Sequence, residues 1–124
     1  MIQLQALAAA AIVAFAVAGL LWVQSRRASG QALGAQADSI GRPYILYFSG
    51  AGCTICRTHQ EPALKALQGV AVRKVDALAE PQLARRFRVF TLPTTVVMDA
   101  AGRARHVNYG YAPAGKLQIQ LADL

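Results

Sequence analysis

The two cysteines of this chain stand close together, in the segment Cys53-Thr54-Ile55-Cys56. Thiols at this spacing can close and open a disulfide, because one thiolate attacks a partner disulfide and the second thiol then displaces the partner. At a helix N-terminus, unpaired backbone N–H groups and the helix dipole favour the thiolate, and they can lower a thiol pKa from about 8.5 to roughly 3.5–7.5. The residue types and their spacing therefore indicate dithiol–disulfide exchange.

The segments on either side of the cysteines predict such a helix N-terminus. Residues 43–48 are aromatic and aliphatic, and the break at 49–52 contains two glycines, which predicts a buried strand that enters a tight turn. Residues 54–67 are expected to follow as a helix, with Leu64 and Leu67 on one face. The first thiol would then lie at the helix start and the second one turn inward.

Other interpretations of the cysteine pair remain open at this point: an inert structural disulfide, a metal site, or an adaptor that has lost turnover. His59 and His106 could complete a zinc site, although their spacing is not that of a regular histidine pair. A copper carrier could use both thiolates, although Met98 lies far along the chain. Attachment of a c-type haem needs histidine where Arg57 stands. We expect no metal and no cofactor.

Three further strands and two further helices are predicted after the cysteines. The strands are expected at 70–76, 94–98 and 105–109, and the helices at 81–87 and from Pro113 onwards. Pro81 suits the first position of a helix, and Pro113 favours a helix over a strand in the last segment. The order β-α-β-α-β-β-α predicts an α/β domain with a right-handed crossover between parallel strands.

The N-terminal segment is almost wholly apolar and predicts a transmembrane helix. From Leu4 to Val23 the chain would cover about 30 Å as a helix, enough to cross a bilayer core, and Trp22 suits the interface. A signal peptide and a buried helix of the domain are the alternatives. The predicted division is an anchor or uncleaved signal at 1–24, a linker at 25–41 and a domain at 42–124.

The side of the membrane on which this domain lies is left open by two opposing arguments. Arg26 and Arg27 follow the span and no basic side chain precedes it, so the positive-inside rule favours a cytoplasmic domain. Membrane-tethered dithiol domains often face the oxidising side, which favours the opposite orientation. We therefore expect a single-pass protein of the cell membrane with either sidedness.

The chain is basic, with 13 Lys and Arg against 6 Asp and Glu and a formal net charge of +7. The basic residues are scattered, and Arg85, Arg86 and Arg88 fit the solvated face of a helix whose Leu83 and Phe87 point inward. A nucleic-acid site would need a basic cluster with interleaved exposed aromatic residues, a pattern that the sequence lacks. We expect a monomer that does not bind nucleic acid.

Over residues 41–124 the chain resembles the thioredoxin-like family. The matching features are the strand into Cys53-Thr54-Ile55-Cys56, the strand end Val75-Asp76, the run 87–89, the element Thr91-Leu92-Pro93-Thr94, and Gly110 after the last strand. The resemblance implies a thioredoxin-like three-layer sandwich with a mixed central sheet of about four strands, here preceded by one N-terminal transmembrane helix.

The resemblance also implies the site and its activity. Cys53 would be the exposed nucleophile and Cys56 the resolving thiol of a thiol–disulfide oxidoreductase in cell redox homeostasis. Its partners would be protein or small-molecule disulfides and dithiols, and a redox partner that is a reductase or an oxidase. Pro93 would form a cis peptide facing the cysteines. Substrate contacts are expected at Thr91, Leu92, Pro93, Gly52, Thr54 and Ile55.

Several positions depart from the pattern of thioredoxins proper. Gly52 replaces the tryptophan before the first cysteine, and Thr54-Ile55 replaces Gly-Pro between the two. Tyr47 stands six residues before Cys53, where the family buries an aspartate that accepts the proton of the second thiol. Pro62 lies one residue later than the helix proline of many relatives, which predicts a shifted kink. These departures leave the direction of electron transfer and the potential open.

Overall fold

The computed structural model describes residues 2–124, and for residues 25, 28 and 29 the backbone alone. The first element is a long helix, α1 (Ile2–Ala32). Its part from Ile2 to Gln24 is apolar, exposed, and long enough to span a membrane by length and composition, a criterion that a signal sequence also meets. Contacts within the chain divide it into a unit that ends at Gly30 and a unit Gln31–Leu124.

A mixed four-stranded sheet forms the centre of the second unit. Its strands are β1 (Tyr44–Ser49), β2 (Ala71–Asp76), β3 (Thr94–Met98) and β4 (Ala104–Tyr109). The order across the sheet is β2-β1-β3-β4. β1 runs parallel to β2 and antiparallel to β3, and β3 runs antiparallel to β4. The predicted order of elements and the mixed sheet of four strands are therefore confirmed.

The helix after β1 begins beside the cysteines and changes type along its length. A π-helical stretch, Cys56–Gln60, continues directly into α2 (Glu61–Lys65). Pro62 lacks an N–H group. The N–H of Glu61, the residue before it, bonds to the carbonyl of Cys56, which lies five residues before Glu61. A π turn accommodates one extra residue. The one-residue shift of the helix proline therefore coincides with a local widening of the helix.

Two further helices complete the second unit: α3 (Pro81–Arg86) and α4 (Ala114–Ala122). Pro81 occupies the first turn of α3, where its missing N–H has no intrahelical partner to lose. The tail is helical as predicted, because Leu117 is buried against the sheet while Ile119 is exposed. The alternating interpretation of this segment would have placed both on the same face.

The core consists of two clusters on opposite faces of the sheet, because successive side chains of β1 point in opposite directions. Tyr44, Leu46 and Phe48 pack with Ala84 and Phe87 on the α3 face. On the other face, the β1 side chains pack with the helix that follows the turn and with α4; this cluster comprises Ile45, Tyr47, Cys56, Leu64, Leu67, Val97, Ala112 and Leu117. β1 is buried on both faces, which gives the three-layer arrangement expected.

Part of the predicted linker 25–41 packs on the domain. The N–H of Ala37 bonds to the carbonyl of Gly102 at 2.9 Å, and the N–H of Ala104 bonds to the carbonyl of Ala35 at 2.9 Å. At Gly102, where φ is +82°, a Cβ would lie 2.5 Å from the Ala37 oxygen. The small residues of this segment allow the two backbones to approach closely, so the packed unit reaches back to Gln31.

Candidate active site

The two cysteines form a disulfide bond at the start of the helix, with their Cα atoms 5.3 Å apart. Cys53 is partly exposed, whereas Cys56 is 0% exposed. The backbone N–H of Cys56 donates to Sγ of Cys53 at 3.2 Å. In the reduced protein, the same donor at a helix start would favour a thiolate at Cys53, because a hydrogen bond to the charged form lowers a pKa.

The turn between β1 and the helix brings Cys53 close to the loop before β3. The N–H of Cys53 bonds to the carbonyl of Gly50 at 3.1 Å, which closes the turn. A Cβ at Gly50 would lie 2.8 Å from Cδ1 of Leu92, so only a residue without a side chain fits there without a shift of Leu92. Gly52 has no such neighbour, and its substitution would meet open space.

The loop before β3 is held by the sheet on both sides of its proline. The peptide bond between Leu92 and Pro93 is cis, and the Pro93 side chain is buried. The Pro93 carbonyl accepts a bond from the N–H of Gly110 at 2.8 Å, and the Thr94 hydroxyl donates to the Thr91 carbonyl at 2.7 Å. The side chain of Leu92 packs against both core clusters.

Cys53 lies in the wall of an open cavity of about 540 Å³ beside this loop. Of the predicted contact residues, Gly52, Thr91 and Leu92 line the same cavity. Thr54 and Ile55 are exposed at the helix start and do not line it, and the buried Pro93 does not line it either. That Pro93 faces the cysteines, and that these residues bind substrate, stay predictions.

Two bulky apolar side chains in this cavity were not predicted from the sequence. Leu78, 85% exposed, follows β2, and Phe90, 61% exposed, follows α3. The centroids of the Phe90 and Tyr109 rings lie 4.6 Å apart, so Phe90 packs against a residue of β4. The sequence could have indicated them, because each is a large apolar residue in a loop that follows a strand or a helix, and loop residues are usually exposed. Such exposed apolar groups commonly mark contact surfaces.

A polar contact joins β1 to the helix that carries the buried cysteine. Tyr47, 1% exposed, donates its hydroxyl to Oε2 of Glu61 at 3.2 Å. Nζ of Lys74 lies 3.5 Å from both oxygens of Glu61. Burial raises the pKa of Tyr47; a hydrogen bond with Ser49 opposes this change, and the Glu61 carboxylate adds to it. Tyr47 therefore stays protonated and acts as a donor to Glu61.

A second polar contact fixes the helix to the loop before α4. The side-chain amide of Gln60 is buried, and it donates to the carbonyl of Ala112 at 3.0 Å. Its oxygen accepts a bond from the N–H of Ala112 at 2.9 Å. Both polar groups of this backbone position are thus satisfied by one side chain, which holds the cysteine-bearing helix in place.

The side chains of the rival metal sites are occupied elsewhere. His59 Nδ1 lies 2.8 Å from the Thr58 hydroxyl, and its ring packs edge-on against Tyr111. Nε2 of His106 lies 3.1 Å from Oδ2 of Asp123. Within residues 2–124, no three His, Cys, Asp or Glu side chains converge as metal ligands. Neither histidine joins the cysteine pair in this oxidised form.

Comparison with known proteins identifies the fold. No family model and no curated protein matches the chain. Among solved structures, thioredoxin-2 of the malaria parasite is 22% identical with a TM-score of 0.62, and the match covers 71% of this chain and 88% of that one. Mitochondrial thioredoxin 3 of Saccharomyces cerevisiae is 23% identical (TM-score 0.58, covering 69% and 82%). Thioredoxin of Fasciola hepatica is 26% identical (TM-score 0.57, covering 67% and 81%).

These similarities establish that residues of the second unit have the thioredoxin-like fold, as the resemblance implied. The C-x-x-C pair of this chain forms a disulfide at the helix start of that fold. The fold and the pair together support a thiol–disulfide oxidoreductase in general.

Proposed function

We propose that this protein exchanges electrons with protein or small-molecule disulfides through Cys53 and Cys56. The observation that carries the proposal is the unequal environment of the two sulfur atoms. Cys53 is partly exposed in an apolar cavity and accepts a backbone hydrogen bond, whereas Cys56 is buried behind it. A partner can therefore reach the first sulfur, and the second can reach only the first.

In the reducing direction, the Cys53 thiolate attacks one sulfur of a partner disulfide, and the other partner sulfur leaves as a thiolate. Cys56 then loses its proton and attacks Cys53, and the bond between Cys53 and the partner breaks. The partner gains two electrons and leaves as a dithiol after protonation, while the protein becomes the disulfide. The oxidising direction is the reverse of these steps, and the redox partner returns the cysteines to their starting state.

The partner is expected to lie along the cavity beside Cys53. Gly52, Thr91 and Leu92 line this cavity, and the loop before Pro93 offers backbone groups for the addition of an extended strand. Thr54 and Ile55 are exposed next to it at the helix start. Leu78 and Phe90 add exposed apolar surface to the same cavity, so an extended peptide gains more contact there than a small disulfide does.

The proposal is tested with the full chain in detergent and an insulin-type protein disulfide. Turnover by the wild type and its loss in Cys53→Ser are expected, because the attacking sulfur is removed. Cys56→Ser is expected to accumulate a mixed disulfide, because no internal thiol releases the partner. Full turnover by Cys53→Ser would contradict the assigned nucleophile.

Two other functions predict different outcomes in the same preparation. An adaptor without turnover would bind protein partners equally well with both cysteines replaced by serine. A zinc or copper protein would carry about one equivalent of metal after purification in the reduced state, since thiolates are the ligands that such ions prefer. Turnover without bound metal would exclude both.

For the location, we propose that residues 4–23 hold the protein in the cell membrane as a single span, with the domain on the side that the positive-inside rule favours, the cytoplasm. The apolar exposed helix supports the span. A membrane-impermeant thiol reagent applied to intact cells should leave Cys53 unlabelled and label it after permeabilisation. Labelling in intact cells would place the domain outside.

A further inference from the structure

The resolving step needs a base, because the second thiol lies in apolar surroundings. Cys56 is 0% exposed and packs with Ile45, Leu64 and Val97 among others. The nucleophile is the thiolate, and burial without a partner charge favours the neutral thiol. Attack on Cys53 therefore requires that the proton of Cys56 pass to a nearby acceptor.

The π turn places a carboxylate on the side of the helix that carries Cys56. The N–H of Glu61 bonds to the carbonyl of Cys56, so these two residues stand on successive turns. Residues joined by a helical hydrogen bond lie near one another on the helix surface, as residues four apart do in an α-helix. In a regular α-helix, position 61 would be rotated away from position 56.

Tyr47 connects this carboxylate to the surroundings of the thiol. Its side chain belongs to the same packed cluster as Cys56, and its hydroxyl donates to Oε2 of Glu61 at 3.2 Å. The hydrogen bond holds the carboxylate against β1 instead of leaving it free in solvent. A buried tyrosine that bonds to a charged group contributes more to positioning than a neutral pair does.

The other charged groups around Glu61 lie along a cavity of about 410 Å³. Lys74 on β2 approaches both carboxylate oxygens at 3.5 Å, and Arg57 and Asp76 line the same cavity. Ser49 and the backbone of the turn complete its wall. The cavity is open, so water can exchange a proton between the Glu61 carboxylate and bulk solvent.

We propose that Glu61 accepts the proton of Cys56 in the resolving step and that Tyr47 positions its carboxylate. The inference rests on the proposed function. The proton moves from Sγ of Cys56 to a Glu61 oxygen, the new bond forms between the two cysteine sulfurs, and the partner sulfur leaves as a thiolate. Glu61 then returns the proton to water in the cavity, so that the residue is unchanged after each turnover.

The test follows the reduced full chain in detergent after mixing with less than one equivalent of Ellman's reagent. Attack by Cys53 releases one chromophoric thiolate in a phase that depends on concentration, and Cys56 releases the second in a phase that does not. In Glu61→Gln, the second phase at neutral pH should be at least about tenfold slower, with the first phase unchanged. The difference should vanish at high pH, where Cys56 ionises without help.

Glu80→Gln is the matched control, because Glu80 pairs with Arg73 at 3.7 Å and does not line the cavity beside Glu61. Both phases should keep the wild-type rates and pH dependence in this variant. A wild-type second phase with a wild-type pH profile in Glu61→Gln would overturn the role of Glu61 alone. Absence of turnover with protein disulfides in the wild type would overturn the proposed function, and the role of Glu61 with it.

Discussion

At the residue scale, the chemistry depends on a difference between two identical side chains on one helix. Cys53 stands before the first turn, where a backbone N–H reaches its sulfur and the cavity leaves it accessible. Cys56 stands one turn later, on the face that packs against β1 and α4. The helix start therefore makes one sulfur a nucleophile for partners and protects the other from them.

Leu78 provides a test of the partner surface at this scale. Leu78→Ser should lower kcat/KM for an insulin-type disulfide about fivefold, which corresponds to about 1 kcal/mol of lost contact, and leave the reaction with Ellman's reagent unchanged. Because the Leu78 side chain is exposed, the substitution should change the free energy of unfolding little. Ile119→Ser on α4, also exposed, is the control and should change neither rate. Equal losses for both substrates would argue against a role of Leu78 in protein recognition.

The cysteine pair could be recognised as a short local motif, and the resemblance implied substrate contacts at Gly52, Thr91 and Leu92. The structure places these three residues in the wall of the cavity beside Cys53, and their binding of substrate stays a prediction. The sequence did not predict the contact between Tyr47 and Glu61. That contact joins a strand and a helix through a tyrosine hydroxyl, and its formation depends on the π turn. The sequence shows that Tyr47 stands where thioredoxins have an aspartate. That the Glu61 carboxylate approaches Tyr47 from the helix could be seen only in the three-dimensional structure.

At the element scale, strands and helices were predictable where their apolar periodicity is strong. β1 and β3 are buried along their whole length; β1 is a nearly continuous apolar run, whereas β3 begins with two threonines before Val96-Val97-Met98. Pro81 is the first residue of α3, and Pro113 directly precedes α4. The π stretch Cys56–Gln60 has no periodic pattern of its own, so only the shifted proline hinted at it. The length of the helix between the cysteines and β2 was therefore predicted better than its internal geometry.

The buried amide of Gln60 supports a stability prediction for this helix. Gln60→Ala removes two hydrogen bonds and leaves the N–H and carbonyl of Ala112 unpaired in a buried position. The expected cost is about 1–3 kcal/mol in the free energy of unfolding, measured by denaturant titration of the full chain in detergent. Gln118→Ala, at an exposed position of α4, should cost much less. Equal denaturation midpoints for the two variants would contradict the stabilising role of the two hydrogen bonds between Gln60 and Ala112.

At the scale of the whole molecule, the chain combines an apolar N-terminal helix with a basic domain of thioredoxin-like fold. Contacts within the chain group residues from Gln31 onwards with this domain, and this group includes part of the segment predicted as a linker. An isolated bridge between Gln36 and Arg103 and a few backbone bonds join this segment to the turn before β4 and to Ala104, the first residue of β4. Its Ala, Gly and Gln residues show no alternating pattern, and such pairing has no signature in the sequence.

Glycine substitutions test this packing. Gly102→Ala combines a left-handed φ of +82° with a Cβ 2.5 Å from the Ala37 oxygen, whereas Gly69→Ala has a φ of +71° and no neighbour within 4 Å. Gly69→Ala should cost about 1 kcal/mol, and Gly102→Ala clearly more, since strain and collision add. Denaturant titration of both variants in detergent measures the difference. Equal costs would mean that residues 31–41 do not pack on the domain in solution.

The most direct measurement is the pH dependence of alkylation of the reduced full chain by iodoacetamide, with the modified residue identified by peptide mass. Cys53 is expected to react first, and its rate should reach a plateau at a pH well below the ordinary thiol pKa of about 8.5, while Cys56 reacts slowly. Cys53 with an ordinary pKa, or Cys56 as the faster thiol, would contradict the proposed roles of the two thiols.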